Sequence, residues 1–409
     1  MFEMSMIDLS ASPLISVGLM LVFGYLLGRG AEKVHLPEIS GFLLAGFLIG
    51  PYMGNVITFQ GAQDMLLVTE IALGLICFTI GAELYIPKLN RLRSQVGWIT
   101  VGQITASFVL VLILLHIAGL ELPFALLLAA AAGTTSPAAT VVIVQSLRAR
   151  GAYVDYLFGT VALGDVAAIV IFSVLFAIAP SLLGLVVVSS VSEIIVPVVG
   201  ETLLSILLGV VGGLIIHVIT RRHDNSGEIL IVTVGVILLG SAIASSFGLS
   251  PLLLNIASGG MVVNMAARNV RIFRTVEPLT PPIYALFFVI AGTKLNPALL
   301  LDPAVLLFGA LFVMGRGMGK YLGTRVAMPR NKTNIPIRRW LGISLLPQAG
   351  IALGLILMVP LLSDGAPSKI RDGISLTVNV VLFAVFINEV VGPPLSRLAV
   401  VRGNKMEAQ

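Results

Sequence analysis

The sequence predicts an all-α polytopic membrane protein of about thirteen transmembrane helices, built as inverted-topology repeats that each contain one interrupted helix. Three observations predict it: the hydropathy of the chain, the alternation of its basic loops, and a matched pair of helix breaks. Of the 409 residues, 57% are apolar and only 11% are charged, and the mean hydropathy is +1.04. Apolar stretches recur along the chain, each long enough to cross a hydrocarbon layer of about 30 Å at about 1.5 Å per residue.

Taken in order, the apolar segments cover residues 13–29, 38–54, 64–83, 97–119, 123–147, 157–180, 200–220, 228–247, 251–265, 277–293, 303–325, 339–362 and 372–394. The first is read as a retained helix, because Glu3 and Asp8 precede it where a signal peptide would carry Lys or Arg. The single cysteine, Cys77, lies within an apolar segment and the four histidines are scattered, so neither a disulfide framework nor a transition-metal site is expected.

Lys and Arg test this division, since short cytoplasmic loops retain them. One alternate set of connections carries Arg29 and Lys33; Lys88, Arg91 and Arg93; Arg148 and Arg150; Arg221 and Arg222; Arg268, Arg271 and Arg274; Arg325, Arg330, Lys332, Arg338 and Arg339; and Arg397, Arg402 and Lys405. These are twenty of the twenty-five basic residues, and the opposite set holds only Lys294, Lys369 and Arg371. Thirteen spans follow, with the N-terminus outside and the C-terminus inside. Residues 1–397 are expected to form one transmembrane domain and residues 398–409 a short cytoplasmic tail, with no nucleotide-binding domain in the chain.

The fifth segment contains Gly133, Thr134, Thr135, Ser136 and Pro137 at mid-span. In lipid every backbone N–H and C=O needs a partner, so such a stretch is tolerable only where it faces protein or a water-filled cavity. The twelfth segment contains Pro347, Gln348 and Gly350. The fifth and twelfth spans are seven apart, an odd number, so the two breaks cross in opposite directions, as an inverted repeat requires. Matched interruptions of this kind point to a transporter's binding site, where exposed carbonyls and half-helix ends meet a small ion.

Asp165, in the sixth segment, sits about nine residues past the cytoplasmic end, or about 14 Å deep. A carboxylate at that depth costs several kcal/mol unless paired, hydrated or protonated, which makes it a functional candidate by default. Arg316 and Lys320, four apart on the eleventh segment, share a face. Lys320 is near enough to the helix end to snorkel to the interface; Arg316 is too deep for that. Gly315, Gly317 and Gly319 make room for close helix approach. Glu70 and Glu389 are weaker ion-binding candidates, while Asn255, Gln103 and Asn379 are expected to cap or bridge helices and His217 to be a partly exposed structural residue.

The blocks "LPEISGFLLAGFLIGP" (36–51), "EIALGLICFTIGAEL" (70–84), "GTTSPAATVV" (133–142), "LGDVAAI" (163–169), "FGLSPLLLNIASGGMV" (247–262), "ALFFVIAGTKL" (285–295) and "NEVVGPPL" (388–395) resemble, in order, those of the monovalent cation:proton antiporter superfamily. The resemblance implies the sodium/proton antiporter fold, a core that moves in an elevator-like cycle against a dimerisation domain, a homodimer, and a bacterial inner-membrane location. It also implies that the position matching Asp165 binds H+ and Na+ or K+ in turn, and that Arg316 or Lys320 is the basic partner. Many members carry Asp or Asn immediately before that acid. Here the position is Gly164, which supplies neither charge nor ligand, so exchange of one proton for one cation is expected.

The expected function is therefore exchange of Na+, or K+ or Li+, for H+ by alternating access. Asp165 would bind both ions competitively, with Thr134, Ser136 and break carbonyls completing the oxygen shell. No cofactor, nucleic acid or covalent chemistry enters this reading. Two alternatives remain at this point: a Na+-coupled organic-anion symporter, which would pair its substrate with Arg316, and a channel-like potassium efflux protein.

Overall fold

A computed structural model describes residues 13–33, 38–58, 61, 65–185, 191–222, 225–266, 269–300, 302–328, 336–348, 350–363 and 365–407. Among these residues the regular structure is helical throughout. Glu3 and Asp8, and the loop residues Arg268, Arg330 and Lys332, lie outside the described residues.

Two compact units divide the chain: residues 1–73 with 278–302, and residues 74–277 with 303–409. In the first, α1 (Pro13–Lys33), α2 (Glu38–Ile49) and α12 (Thr280–Thr293) pack backbone against backbone. A Cβ on Gly46 would fall 1.9 Å from the Val289 carbonyl oxygen, and one on Gly41 would meet the Gly28 backbone at 2.5 Å. Only glycine permits that approach, which gains van der Waals contact where lipid offers no hydrophobic drive. Helix α3 (Leu66–Gly81) runs from the first unit into the second, and Glu70 is exposed on its surface.

The second unit contains α4 (Ile86–Ile117), α5 (Leu122–Ala131), α6 (Pro137–Ser146), α7 (Ala152–Leu182), α8 (Val191–Thr220), α9 (Ser226–Ser246), α10 (Pro251–Met265) and α11 (Val270–Val276). It continues with α13 (Pro303–Ala327), α14 (Gly342–Ser344), α15 (Gly350–Ile356) and α16 (Ser368–Glu407). Helices α4 and α13 pack antiparallel along a glycine stripe. Cβ atoms on Gly319 and Gly323 would meet the Ser107 Cα and the Gly102 carbonyl oxygen at 2.3 Å each, and Gly315 lies against Val111. That stripe places residue 103 beside residue 320.

Among the described residues eight helices are long and apolar enough to cross a membrane, and five shorter apolar helices fall in the remaining predicted segments. Three boundaries differ markedly from the sequence expectation, one being α8, which begins at Val191 rather than 200. Helix α4 begins at Ile86 rather than 97, because the charges in the sequence at 88–93 end the apolar run without ending the helix. Helix α16 continues past Pro393 and Pro394 to Glu407 instead of stopping at 394. Prolines remove two helical N–H donors there, but the turn packs against protein: a Cβ on Gly392 would lie 2.8 Å from the Pro347 Cα.

Candidate functional site

Both predicted breaks are present. Helix α5 ends at Ala131 and α6 begins at Pro137, leaving Gly133 to Ser136 unwound. Pro137 opens α6 because its fixed φ and missing N–H cost nothing at a first helical position. Ser136 caps α6, its hydroxyl accepting from the Ala139 N–H at 3.3 Å, and its carbonyl accepts from both the N–H and the hydroxyl of Thr140. The second break starts after α14 and includes Leu346, Pro347 and Gln348; α15 resumes at Gly350.

Unwinding strips carbonyls of their helical donors, and a buried orphan carbonyl costs about 1–3 kcal/mol. Arg316 answers for both breaks at once. Its guanidinium donates to the carbonyls of Leu346 at 2.6 Å, Thr134 at 2.9 Å, Leu345 at 3.3 Å and Pro347 at 3.4 Å. Gln348 makes a second tie: its Nε2 donates to the Ala131 carbonyl at 3.0 Å and to Thr134 Oγ1 at 3.1 Å, while its Oε1 accepts from Asn388 Nδ2 at 2.9 Å. The Thr134 hydroxyl in turn donates to Ala131.

Lys320 serves the first break alone. Its Nζ donates to the Gly133 carbonyl at 3.0 Å, Gln103 Oε1 at 3.1 Å and Thr135 Oγ1 at 3.4 Å. The lysine is fully buried and does not snorkel. Helix α13 runs two turns past it, and the glycine stripe lays α4 across it. Arg316 and Lys320 both donate to carbonyls of the first break. Each cation faces the C-terminal end of a half-helix, where the backbone dipole favours positive charge.

Asp165 projects from α7 with no solvent exposure, and its Oδ1 accepts from the Thr135 N–H at 2.7 Å. Within the first break, then, carbonyls face two bases and an N–H faces the acid. Among the described residues the buried, formally charged side chains are Asp165, Arg316, Lys320 and Glu389, two acids and two bases, all in the second unit. Glu389 is 1% exposed, and neither carboxyl oxygen has a hydrogen-bond partner among the described residues.

Asn255 donates to Ser241 and the Pro251 carbonyl, Asn379 donates to the Ser375 carbonyl, and His217 meets Asn269. The Asn255–Ser241 and His217–Asn269 contacts join different segments, whereas the Asn379–Ser375 bond stays within α16. Sequence reasoning passed over Asn388, and placed Gln103 only among helix bridges; a single amide in an apolar run does not reveal which helix it faces.

A buried acid against an unwound helix, tied by one arginine to a second unwound helix in a multi-pass membrane protein, defines a secondary transporter. Residues 18–398 match the sequence model of the family described as "Sodium/hydrogen exchanger, transmembrane", and the chain belongs to that family of cation/proton antiporters. YbaL of Escherichia coli (strain K12) is 26% identical over 395 residues, covering 92% of this chain and 69% of that protein. The high-affinity Na+/H+ antiporter NhaS3 of Synechocystis sp. is 23% identical over 404 residues, covering 95% of this chain and 84% of that one. The structure of the sodium proton antiporter MjNhaP1 from Methanocaldococcus jannaschii at pH 8 superposes with a TM-score of 0.77 at 18% identity, covering 95% of this chain and 98% of that chain. The fold is that of this antiporter.

Proposed function

We propose that the protein exchanges Na+, or K+ or Li+ in its place, for H+ by alternating access, with proton and cation competing for Asp165. The observation that carries this reading is the Asp165 carboxylate, fully buried and held by the Thr135 N–H at the first break. Ionised and alone, such a group resists transfer across hydrocarbon; a proton or a bound cation removes the penalty. Movement restricted to the loaded states makes exchange obligatory.

A cation at Asp165 needs further oxygens, and Thr135, Thr134 and Ser136 are the nearest hydroxyls along the break. The Gly133 carbonyl and Thr135 Oγ1 accept from Lys320, so an arriving cation displaces that ammonium to recruit them. Arg316 donates to four carbonyls, which leaves it poorly placed to bind an organic anion and weighs against symport. The chain works by binding and movement, without covalent catalysis or a resident cofactor. It spans the inner membrane thirteen times with its N-terminus outside, residues 1–397 forming the transmembrane domain and 398–409 the tail, and functions as a homodimer with an elevator-like core.

Proteoliposomes holding a pH gradient test this reading on addition of Na+, K+ or Li+. Wild-type protein should dissipate the gradient with at least one cation, and Asp165→Asn should not. Flux of wild-type size in Asp165→Asn would move the coupling site elsewhere.

A further inference from the structure

Gly164, the residue before Asp165, has no side chain to offer the site, and a neighbouring helix fills the space. Gln103 extends from α4 at 1% exposure, and its Oε1 accepts from Lys320 Nζ at 3.1 Å. An ammonium only donates, so the oxygen must be the amide atom that faces it, and Nε2 is turned away. Nε2 lies 3.0 Å from the point a Cβ on residue 164 would occupy and has no hydrogen-bond partner among the described residues. A buried amide N–H without a partner is costly, and a residue that merely joined helices would direct both ends of its amide to fixed groups. The α4–α13 glycine stripe fixes the register on either side, at Gly102 against Gly323 and at Ser107 against Gly319.

We propose that Gln103 is a positioning residue of the cation/proton site, supplying from α4 the amide that residue 164 lacks. Its Oε1 restrains Lys320, limiting how far the ammonium competes with an incoming cation for Asp165. Its Nε2–H is the donor available to the acid side of the site while no cation is bound. The ion affinity of Asp165 thus depends on a side chain from a different helix. This rests on antiport through Asp165.

The test relocates the amide. In proteoliposomes, Gln103→Ala should fold normally, raise the apparent cation KM about tenfold, as loss of a group orienting an ion ligand does, and displace the pH of half-maximal exchange. Gly164→Asn alone should lose transport, because its amide enters space that Gln103 occupies. The double variant, with the amide now on α7, should return KM to within about twofold of wild type, the signature of two coupled positions. An unchanged KM and pH profile in Gln103→Ala overturns the inference, as does a folded double variant no better than Gln103→Ala. If the double variant does not fold, Gln103→Ala decides alone. Should Asp165→Asn abolish exchange while Gln103→Ala changes nothing, this inference fails and the antiport reading stands; if exchange survives Asp165→Asn, that reading fails instead.

Discussion

The two breaks differ in what they offer. At Gly133–Ser136 the chain presents hydroxyls, two carbonyls taken by separate bases, and an N–H that holds Asp165. At the second break the carbonyls of Leu345, Leu346 and Pro347 go to Arg316, and the Gln348 side chain is aimed back at the first break. Sequence symmetry therefore conceals a structural difference: under the proposed exchange the first break would carry the ion chemistry, and the second would brace it. The brace is polar because unwinding leaves these carbonyls without helical donors.

The largest effect should come from setting Asp165→Asn against Gln348→Ala. The first should bring cation-evoked proton flux down to that of empty liposomes with little change in thermal unfolding. The second should keep the cation dependence while destabilising the fold by about 1–3 kcal/mol through orphaned Ala131 and Thr134 acceptors, read by thermal unfolding in detergent. Equal loss of transport in two folded variants would erase the distinction between the breaks.

Arg316 belongs to both. Arg316→Ala should leave four carbonyls, three of them buried, without this donor and collapse the yield of folded protein, whereas Arg316→Lys, one point charge without the fork, should recover part of the fold and little transport. Full recovery by lysine would mean that charge, rather than simultaneous reach, is what matters.

Gly319→Val sharpens the account of how the bases reach the first break. The added Cβ meets the Ser107 backbone at 2.3 Å, so α4 and α13 must separate, at a cost of about 1–3 kcal/mol and with Lys320 drawn from its acceptors. The smallest effect should come from Ser136→Ala: loss of the α6 cap costs about 1 kcal/mol. An added tenfold rise in cation KM would assign the hydroxyl to the ion as well.

Much of this was legible in the sequence, for one reason: hydrocarbon makes polar residues conspicuous. Gly-Thr-Thr-Ser-Pro, Pro347 with Gln348, Asp165 and Arg316 are all poor choices for a lipid-facing helix, and each lies in the site. The remainder depends on which helix faces which, and hydropathy carries little of that. Gln103 and Asn388 join the site through helix pairing, and Lys320 is buried because α4 lies over it. Glu70, as intramembrane by sequence as Glu389, is exposed instead. Helix length was misread where charge ended an apolar run, as at α4, or where proline was tolerated in a packed helix, as at α16.

The central claim is competition between proton and cation for one carboxylate, and the most direct measurement is the cation KM of exchange in proteoliposomes as a function of pH. Competition predicts that at acid pH the KM rises about tenfold for each unit fall while the maximal rate at saturating cation stays constant, because one group must release its proton to bind the ion. A KM independent of pH, with the maximal rate falling instead, would place the proton and the cation on different groups and contradict the account.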